Sequence, residues 1–312
     1  MSSVHKPVLV QEVLEYLNVR SNYDYIDGTV GGGGHAEAIL KANGPKGKLL
    51  GLDADPQAIA AVSRRLQQFG NRVILQNKNY KQIKKITHAL SISFSISGIL
   101  LDLGLSSDQL DLRGRGFSFY DKGKLDMRFD TSRGQTAADL IMTAEETELA
   151  KIFKEYGELR EWKKLARAIC TFRELNKNQT ITTPELVEIV RTVIKKGSSK
   201  INPATKVFQA LRIAINQELD NLEEFLSQSL EVLPSGARLV IISFHSLEDR
   251  QVKRFFQKWS KADYGPKESP LSQELRPARL KILTKKVVRP QTTEVKSNPR
   301  SRSALLRAAE IL

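Results

Sequence analysis

The feature that most constrains this chain is a short apolar strand that runs straight into a glycine-rich turn and then a helix. Tyr25-Ile26-Asp27 leads into Gly28-Thr29-Val30-Gly31-Gly32-Gly33-Gly34-His35, and helical spacing resumes over residues 36–41. Several glycines at a strand-to-helix turn let the backbone approach a ligand closely. The alternation then continues: strand 48–53, helix 56–69, strand 72–76, and the apolar run Ile99-Leu100-Leu101-Asp102-Leu103. Continuous apolar strands that alternate with helices predict an α/β fold with a parallel sheet covered on both faces.

The pattern changes after Gly104. Residues 113–119 are rich in Gly, Arg and Phe, and 136–196 read as helices with no strand between them. A long helical pattern over 205–233 ends at Pro234-Ser235-Gly236. Beyond it lie a buried strand (237–244), a helix (246–259), a polar loop (264–277) and two closing strands (282–288 and 303–309) that suit an antiparallel pair. The expected organisation is a discontinuous α/β domain, 1–112 with 203–312, interrupted by a helical insertion at 113–202.

Charge narrows the partners. Lys and Arg number 49 against 35 Asp and Glu, a formal net charge of +14, which favours a polyanion. Cys170 is the single cysteine and reads as a small packing residue. The four histidines have no cysteines at zinc-ligand spacing, so no metal site is expected. No apolar run would span a bilayer, and Pro7 and Gln11 interrupt any signal-like stretch. The expected location is the cytoplasm.

Three acids end successive strands. The spacing Gly31-x-Gly33-x-x-Ala36 fits a dinucleotide turn, but Asp27, immediately before it, would repel a pyrophosphate. S-adenosylmethionine carries no phosphate and two cationic centres, and suits an acid there; a turn-forming aspartate is the plainer reading. Asp53 can accept both ribose hydroxyls of an adenosine. Asp55, just before Pro56, reads as a helix cap. Tyr80 follows the third strand, where it can stack on adenine or simply pack. Asp102 ends the fourth strand on the same edge. His245 ends the fifth, either as a substrate contact or as a strand-end hydrogen-bonding group, and Ser246 with Asp249 resembles a capping box.

With these residues in view, the chain resembles the RsmH/MraW-type bacterial methyltransferases, which methylate N4 of a cytidine in the decoding region of small-subunit (16S) ribosomal RNA. The matching segments are collinear and span nearly the whole chain: His5-Lys6-Pro7-Val8-Leu9, DGTVGGGGH from Asp27, LDADP from Leu52, GILLDLGLSSDQ from Gly98, RGFSF from Arg115, LDMR from Leu125, FQALRIAINQEL from Phe208, IISFHSLEDR from Ile241 and NPRSR from Asn298. The resemblance implies a class I methyltransferase fold with a helical insertion, and S-adenosyl-L-methionine as cofactor. It places cofactor contacts at Gly33, Gly34, His35, Asp53, Tyr80, Asp102 and Gln109. One departure is Asp108, where the family usually carries proline; it bears on the shape of the loop that places Gln109.

The chemistry so implied is direct methyl transfer to an exocyclic amine, whose lone pair is delocalised into the ring. An acceptor near the N–H would localise that pair. Asp102 is the first candidate, with Ser106, Ser107 or His245 as alternatives. The target base must leave its stack. Arg113, Arg115, Phe117 and Phe119 can grip a splayed nucleotide, although the two phenylalanines equally suit core packing. Arg212 and Asn216 lie one helical turn apart and are assigned to the substrate, as are Arg300 and Arg302 as phosphate contacts or surface charges. The expected partner is small-subunit ribosomal RNA, free or in an assembled subunit; a homodimer is compatible with the reading. Three rivals stand beside it. Asp27 and the lack of a second catalytic domain disfavour a dehydrogenase, and the acidic strand ends disfavour a non-catalytic RNA-binding module. A DNA N4-methyltransferase typically has a Pro-Pro-aromatic tract where this chain has Leu103-Gly104-Leu105.

Overall fold

The computed structural model describes residues 7–90, 96–105, 114–121, 123–177, 179–195, 202–263 and 275–312. Two compact units emerge, one of residues 1–104 with 219–312 and one of residues 105–218.

The first unit is built on seven strands: β1 (Asp24–Asp27), β2 (Leu49–Asp53), β3 (Val73–Asn77), β4 (Ile96–Asp102), β5 (Arg238–Ser243), β6 (Leu280–Ile282) and β7 (Leu305–Ile311). Their order in the sheet is β3-β2-β1-β4-β5-β7-β6. Strands β1 to β5 pair in parallel, while β7 runs antiparallel to both β5 and β6. This is the class I methyltransferase arrangement expected of the sequence, including the antiparallel closing pair. The central strands are nearly all apolar and buried, as a sheet covered on both faces requires. One face carries α4 (Ile83–Ala89), α10 (Glu218–Val232) and α11 (Ser246–Trp259), which bury Ile83, Phe225, Leu226, Val252 and Phe256 against alternate strand residues. The other carries α1 (Val10–Tyr16), α2 (Gly34–Ala42) and α3 (Pro56–Leu66), with Val13, Ile39 and Val62 inward. The strand order reverses between β1 and β4, and ligands bind beyond the carboxyl ends of strands at such a switch point.

The second unit packs α5 (Ala137–Thr143), α6 (Glu146–Glu155), α7 (Trp162–Leu175), α8 (Thr183–Val193) and α9 (Pro203–Asn216) around their own core. Capping boxes start α5 and α8, pairing Thr136 with Asp139 and Thr182 with Glu185. Two sequence expectations need correcting. The long helical pattern over 205–233 is two helices, because Gln217 adopts a left-handed conformation (φ 52°) and closes α9. Helix α9 also belongs to the helical unit rather than to the sheet domain. Its inward side chains Val207, Phe208 and Leu211 complete the helical core, so the insertion ends near residue 218 rather than 202.

Candidate active site

Asp27, Asp53 and Asp102 end β1, β2 and β4, three strands adjacent in the sheet. Each carboxylate has defined partners. Asp27 Oδ1 accepts from Thr29 N at 3.1 Å. Asp53 accepts from Gly31 N (2.9 Å) and Asp55 N (2.8 Å), joining the glycine turn to the start of α3. Asp102 is held through its main chain, whose N–H donates to Thr29 Oγ1 at 2.6 Å. Asp55 caps α3 by accepting from Gln57 N, with Pro56 at the first helical position, as the sequence implied.

His35, at the start of α2, is buried to 5% exposure. Its Nε2 lies 3.4 Å from Asp102 Oδ2. Among the described residues, neither His35 ring nitrogen nor Asp102 Oδ1 completes a hydrogen bond. Buried polar atoms are rarely left this way, and three on two facing side chains mark a place where a polar ligand would supply the missing partners.

The electrostatics agree. Burial pushes the Asp27 carboxyl up to about 7; the Asp102 and Asp53 charges add to the effect, and His35 and the Thr29 N–H oppose it. Burial likewise raises Asp53 to about 6, against its backbone hydrogen bonds. Burial works to lower the His35 pKa, but the Asp102 contact and the charges of Asp102 and Asp27 outweigh it and leave it raised. Acids gathered at desolvated strand ends favour a cation.

The glycines owe their identity partly to protein contacts. Gly33 caps α2 at φ 78°, and a Cβ there would lie 2.4 Å from Val62 Cγ2. A Cβ on Gly34 would meet Pro7 within 3 Å. Gly33→Ala should cost roughly 2–4 kcal/mol, from left-handed strain plus displacement of Val62, and a thermal melt would read this as a lowered Tm. Arg65 pins the same turn by donating to Gly32 O (2.7 Å) and Glu37 Oε2 (2.8 Å). Glu294 accepts from Leu9 N at 2.9 Å and acts electrostatically on His35. Thr29, Arg65 and Glu294 were not singled out from the sequence. Thr29 lies within the motif itself, whereas nothing in the pattern separates Arg65 from Arg64. Tyr80 opens a single 3-10 turn and meets Phe225 edge-on, with ring centroids 5.6 Å apart.

His245 is the N-cap of α11. Its Nδ1 faces Glu248 N at 3.4 Å, Glu248 reaches back to the main chain of residues 244 and 245, and His245 Nε2 lies 3.2 Å from Glu248 Oε1. The cap expected at Ser246 thus sits one residue earlier, because Asp249 is engaged elsewhere, in a bidentate pair with Arg307 on β7 (2.7 and 3.0 Å).

In the helical unit, Arg212 forms a bidentate pair with Glu218 (2.8 and 2.9 Å). Asn216 accepts from Phe129 N and donates to Met127 O and Arg212 O. Arg115 donates to the carbonyls of Arg128 and Phe129, and Phe117 stacks on Phe129 within the core. These four residues knit the unit together. Cys170 is half-buried at the edge of the same core. Arg300 and Arg302 are exposed on a 3-10 turn, Pro299–Ser303, anchored by buried Ser301. Ser106, Ser107, Asp108, Gln109 and Arg113 lie outside the described residues. Among the described residues, no helix is long and apolar enough to cross a membrane.

A family model described as the MraW methylase family matches residues 2–312. The chain is 46% identical over 306 residues to the ribosomal RNA small subunit methyltransferase H of Syntrophotalea carbinolica, covering 97% of this chain and 96% of that protein. It is 45% identical over 313 residues to the protein of the same name from Carboxydothermus hydrogenoformans, covering 100% and 99%. Among solved structures, an rRNA methylase from Streptococcus thermophilus aligns with 97% of this chain and 96% of its own at 11% identity and a TM-score of 0.41.

Proposed function

This chain belongs to the MraW methylase family, and on that premise we propose that it transfers a methyl group from S-adenosylmethionine to N4 of a cytidine in the decoding region of small-subunit ribosomal RNA. The observation that carries the reading is the pairing of three strand-end acids with buried, unpartnered atoms on His35 and Asp102. When bound, S-adenosylmethionine supplies a methyl group activated on a sulfonium sulfur. Asp27 offers negative charge to its cationic groups, Asp53 accepts from the ribose, and Tyr80 packs beside the adenine. The glycine turn, with Gly33 and Gly34, lets the backbone approach.

Asp102 Oδ1 is the acceptor for the cytidine amine. Holding that N–H confines the nitrogen lone pair to the reacting direction and positions it for in-line attack; as the N–C bond forms and the S–C bond breaks, the amine proton passes to Asp102. Catalysis here rests on orientation and on charge placed in a dry site. His35 lies beside the other Asp102 oxygen, its Nε2 3.4 Å away. His245, committed to the α11 cap, shapes the edge of the site, while Ser106 serves as a further acceptor and Gln109 contacts the cofactor. The helical unit serves substrate recognition through Arg113, with Arg115, Arg212 and Asn216 maintaining its shape. Arg300 and Arg302 contact phosphate.

The test is to incubate the protein with methyl-labelled S-adenosylmethionine and small ribosomal subunits lacking the modification, then digest the RNA to nucleosides. Label is expected in N4-methylcytidine. Label in another nucleoside would overturn the position, and label absent from RNA would overturn the substrate.

A further inference from the structure

The surplus of positive charge is unevenly spread over the sheet unit. On α11, Arg250, Lys253, Arg254 and Lys258 all face solvent, and Lys261 follows just past its end. Spacings of three and four residues put the helical cations on one stripe, about 12 Å long at 1.5 Å per residue. The two acids of this helix are withdrawn from the stripe, Glu248 buried in the cap and Asp249 paired with Arg307. Lys253, Arg254, Lys258 and Lys261 make no ion pair among the described residues. Trp259 closes the stripe, with the Arg276 guanidinium 4.4 Å and the Lys258 ammonium 5.7 Å from its ring.

Helix α10, on the same sheet face, is the opposite case. It carries no Lys or Arg, and its exposed charges are Asp220, Glu223, Glu224 and Glu231. The two long helices of this face thus carry opposite charge, while the short α4 exposes Lys84 and Lys85. The stripe also carries a cost, because like charges four residues apart, as at Arg250/Arg254 and Arg254/Lys258, destabilise a helix. Packing places no such demand, because the inward side chains Val252 and Phe256, with Phe255 and Trp259 beside them and the Asp249–Arg307 pair, secure α11 to the sheet.

We infer that the exposed stripe of α11 is a docking surface for the phosphate backbone of the RNA substrate, away from the base being methylated. This rests on the proposed RNA methyltransferase activity and extends it. The stripe holds backbone without reading sequence. The contribution of the stripe falls on encounter and retention of the RNA, not on the chemical step.

The test compares wild type with the variant Lys253→Gln/Arg254→Gln/Lys258→Gln/Lys261→Gln, and with a control variant Lys46→Gln/Arg64→Gln on other exposed positions. Binding of a short fluorescein-labelled single-stranded RNA is followed by anisotropy across a salt series. Each phosphate that is no longer neutralised lowers the slope of log K against log salt by about 0.7, so the slope should fall by roughly 2–3 in the stripe variant and hold in the control. S-adenosylmethionine binding should be unchanged, KM for RNA should rise, and single-turnover methylation at saturating RNA should persist. The double variants Lys253→Gln/Arg254→Gln and Lys258→Gln/Lys261→Gln, each with about half the effect, guard against misfolding. An unchanged slope in a stripe variant, with RNA still methylated by wild type, overturns the docking surface and leaves the activity standing. A reduced slope in the stripe variant, when wild type methylates no RNA, overturns the activity and keeps the surface. A salt-sensitive dimer by light scattering, abolished in the stripe variant, would assign the face to a second copy and overturn the inference.

Discussion

Asp102→Ala is expected to lower single-turnover methyl transfer by about 10²–10⁴-fold, the range for loss of a positioned proton acceptor. The fold should survive, because the anchor of this residue is its backbone N–H to Thr29 Oγ1, which alanine retains. Asp102→Asn keeps an acceptor oxygen and loses only the charge, so it should fall between wild type and alanine. A second readout separates this role from mere structure. Asp102, ahead of Asp27 and Glu294, holds the His35 pKa up against burial. In Asp102→Ala the His35 imidazole should titrate at lower pH by NMR. Wild-type turnover in the alanine variant would remove Asp102 from the chemistry; an unshifted His35 would contradict the electrostatic account.

Asp27→Asn should do two opposite things. The Asp27 carboxyl, pushed to about 7 by burial, starts from an ordinary value of about 3.9 in the unfolded chain. Its folded pKa is raised, so the ionised form burdens the folded state. That burden is absent below the unfolded pKa, grows as pH rises from there to about 7, and is then constant, on the order of 2–4 kcal/mol. Asparagine keeps an acceptor for Thr29 N and never ionises. The variant should therefore melt several degrees above wild type at about pH 8 and with little difference near about pH 4. S-adenosylmethionine binding should weaken by tenfold or more, since the cationic ligand favours the ionised acid. Wild-type affinity should strengthen as pH rises through about 7, and proton release on binding should appear in calorimetry in two buffers; both effects should shrink in the variant. Equal stability at the alkaline pH would mean the carboxylate is solvated after all.

The sheet and its strand-end acids were readable because buried parallel strands appear as apolar runs, and an acid at the end of such a run has few explanations. Leu49–Asp53 and Ile96–Asp102 show this directly. What escaped was decided by tertiary competition. A helical period cannot announce that Gln217 will turn left-handed, because periodicity on both sides is satisfied by either one helix or two. Ser246 has the sequence of a cap, but Asp249 is drawn to Arg307, a residue 58 positions away. Arg212 and Asn216 share a helix face as expected, but the same spacing serves a turn at 127–129 and an ion pair with Glu218. Sequence separation hides such partners, while strand-end position does not.

The parallel pairing of β4 with β5, which joins Ile96–Asp102 to Arg238–Ser243 across the whole helical unit, has a consequence for biosynthesis. As the chain is made vectorially, β1 to β4 appear first, and β4 then waits as an apolar edge while the entire insertion is synthesised. Contacts of such long range are slow to form, and an unpaired hydrophobic edge invites pairing with other chains. An insertion that condenses early on its own core shortens the flexible link between the two strands and lowers the entropy cost of their meeting. The helical unit therefore acts on the sheet before any substrate arrives, as the element whose timely collapse lets the nascent protein close its own hazard.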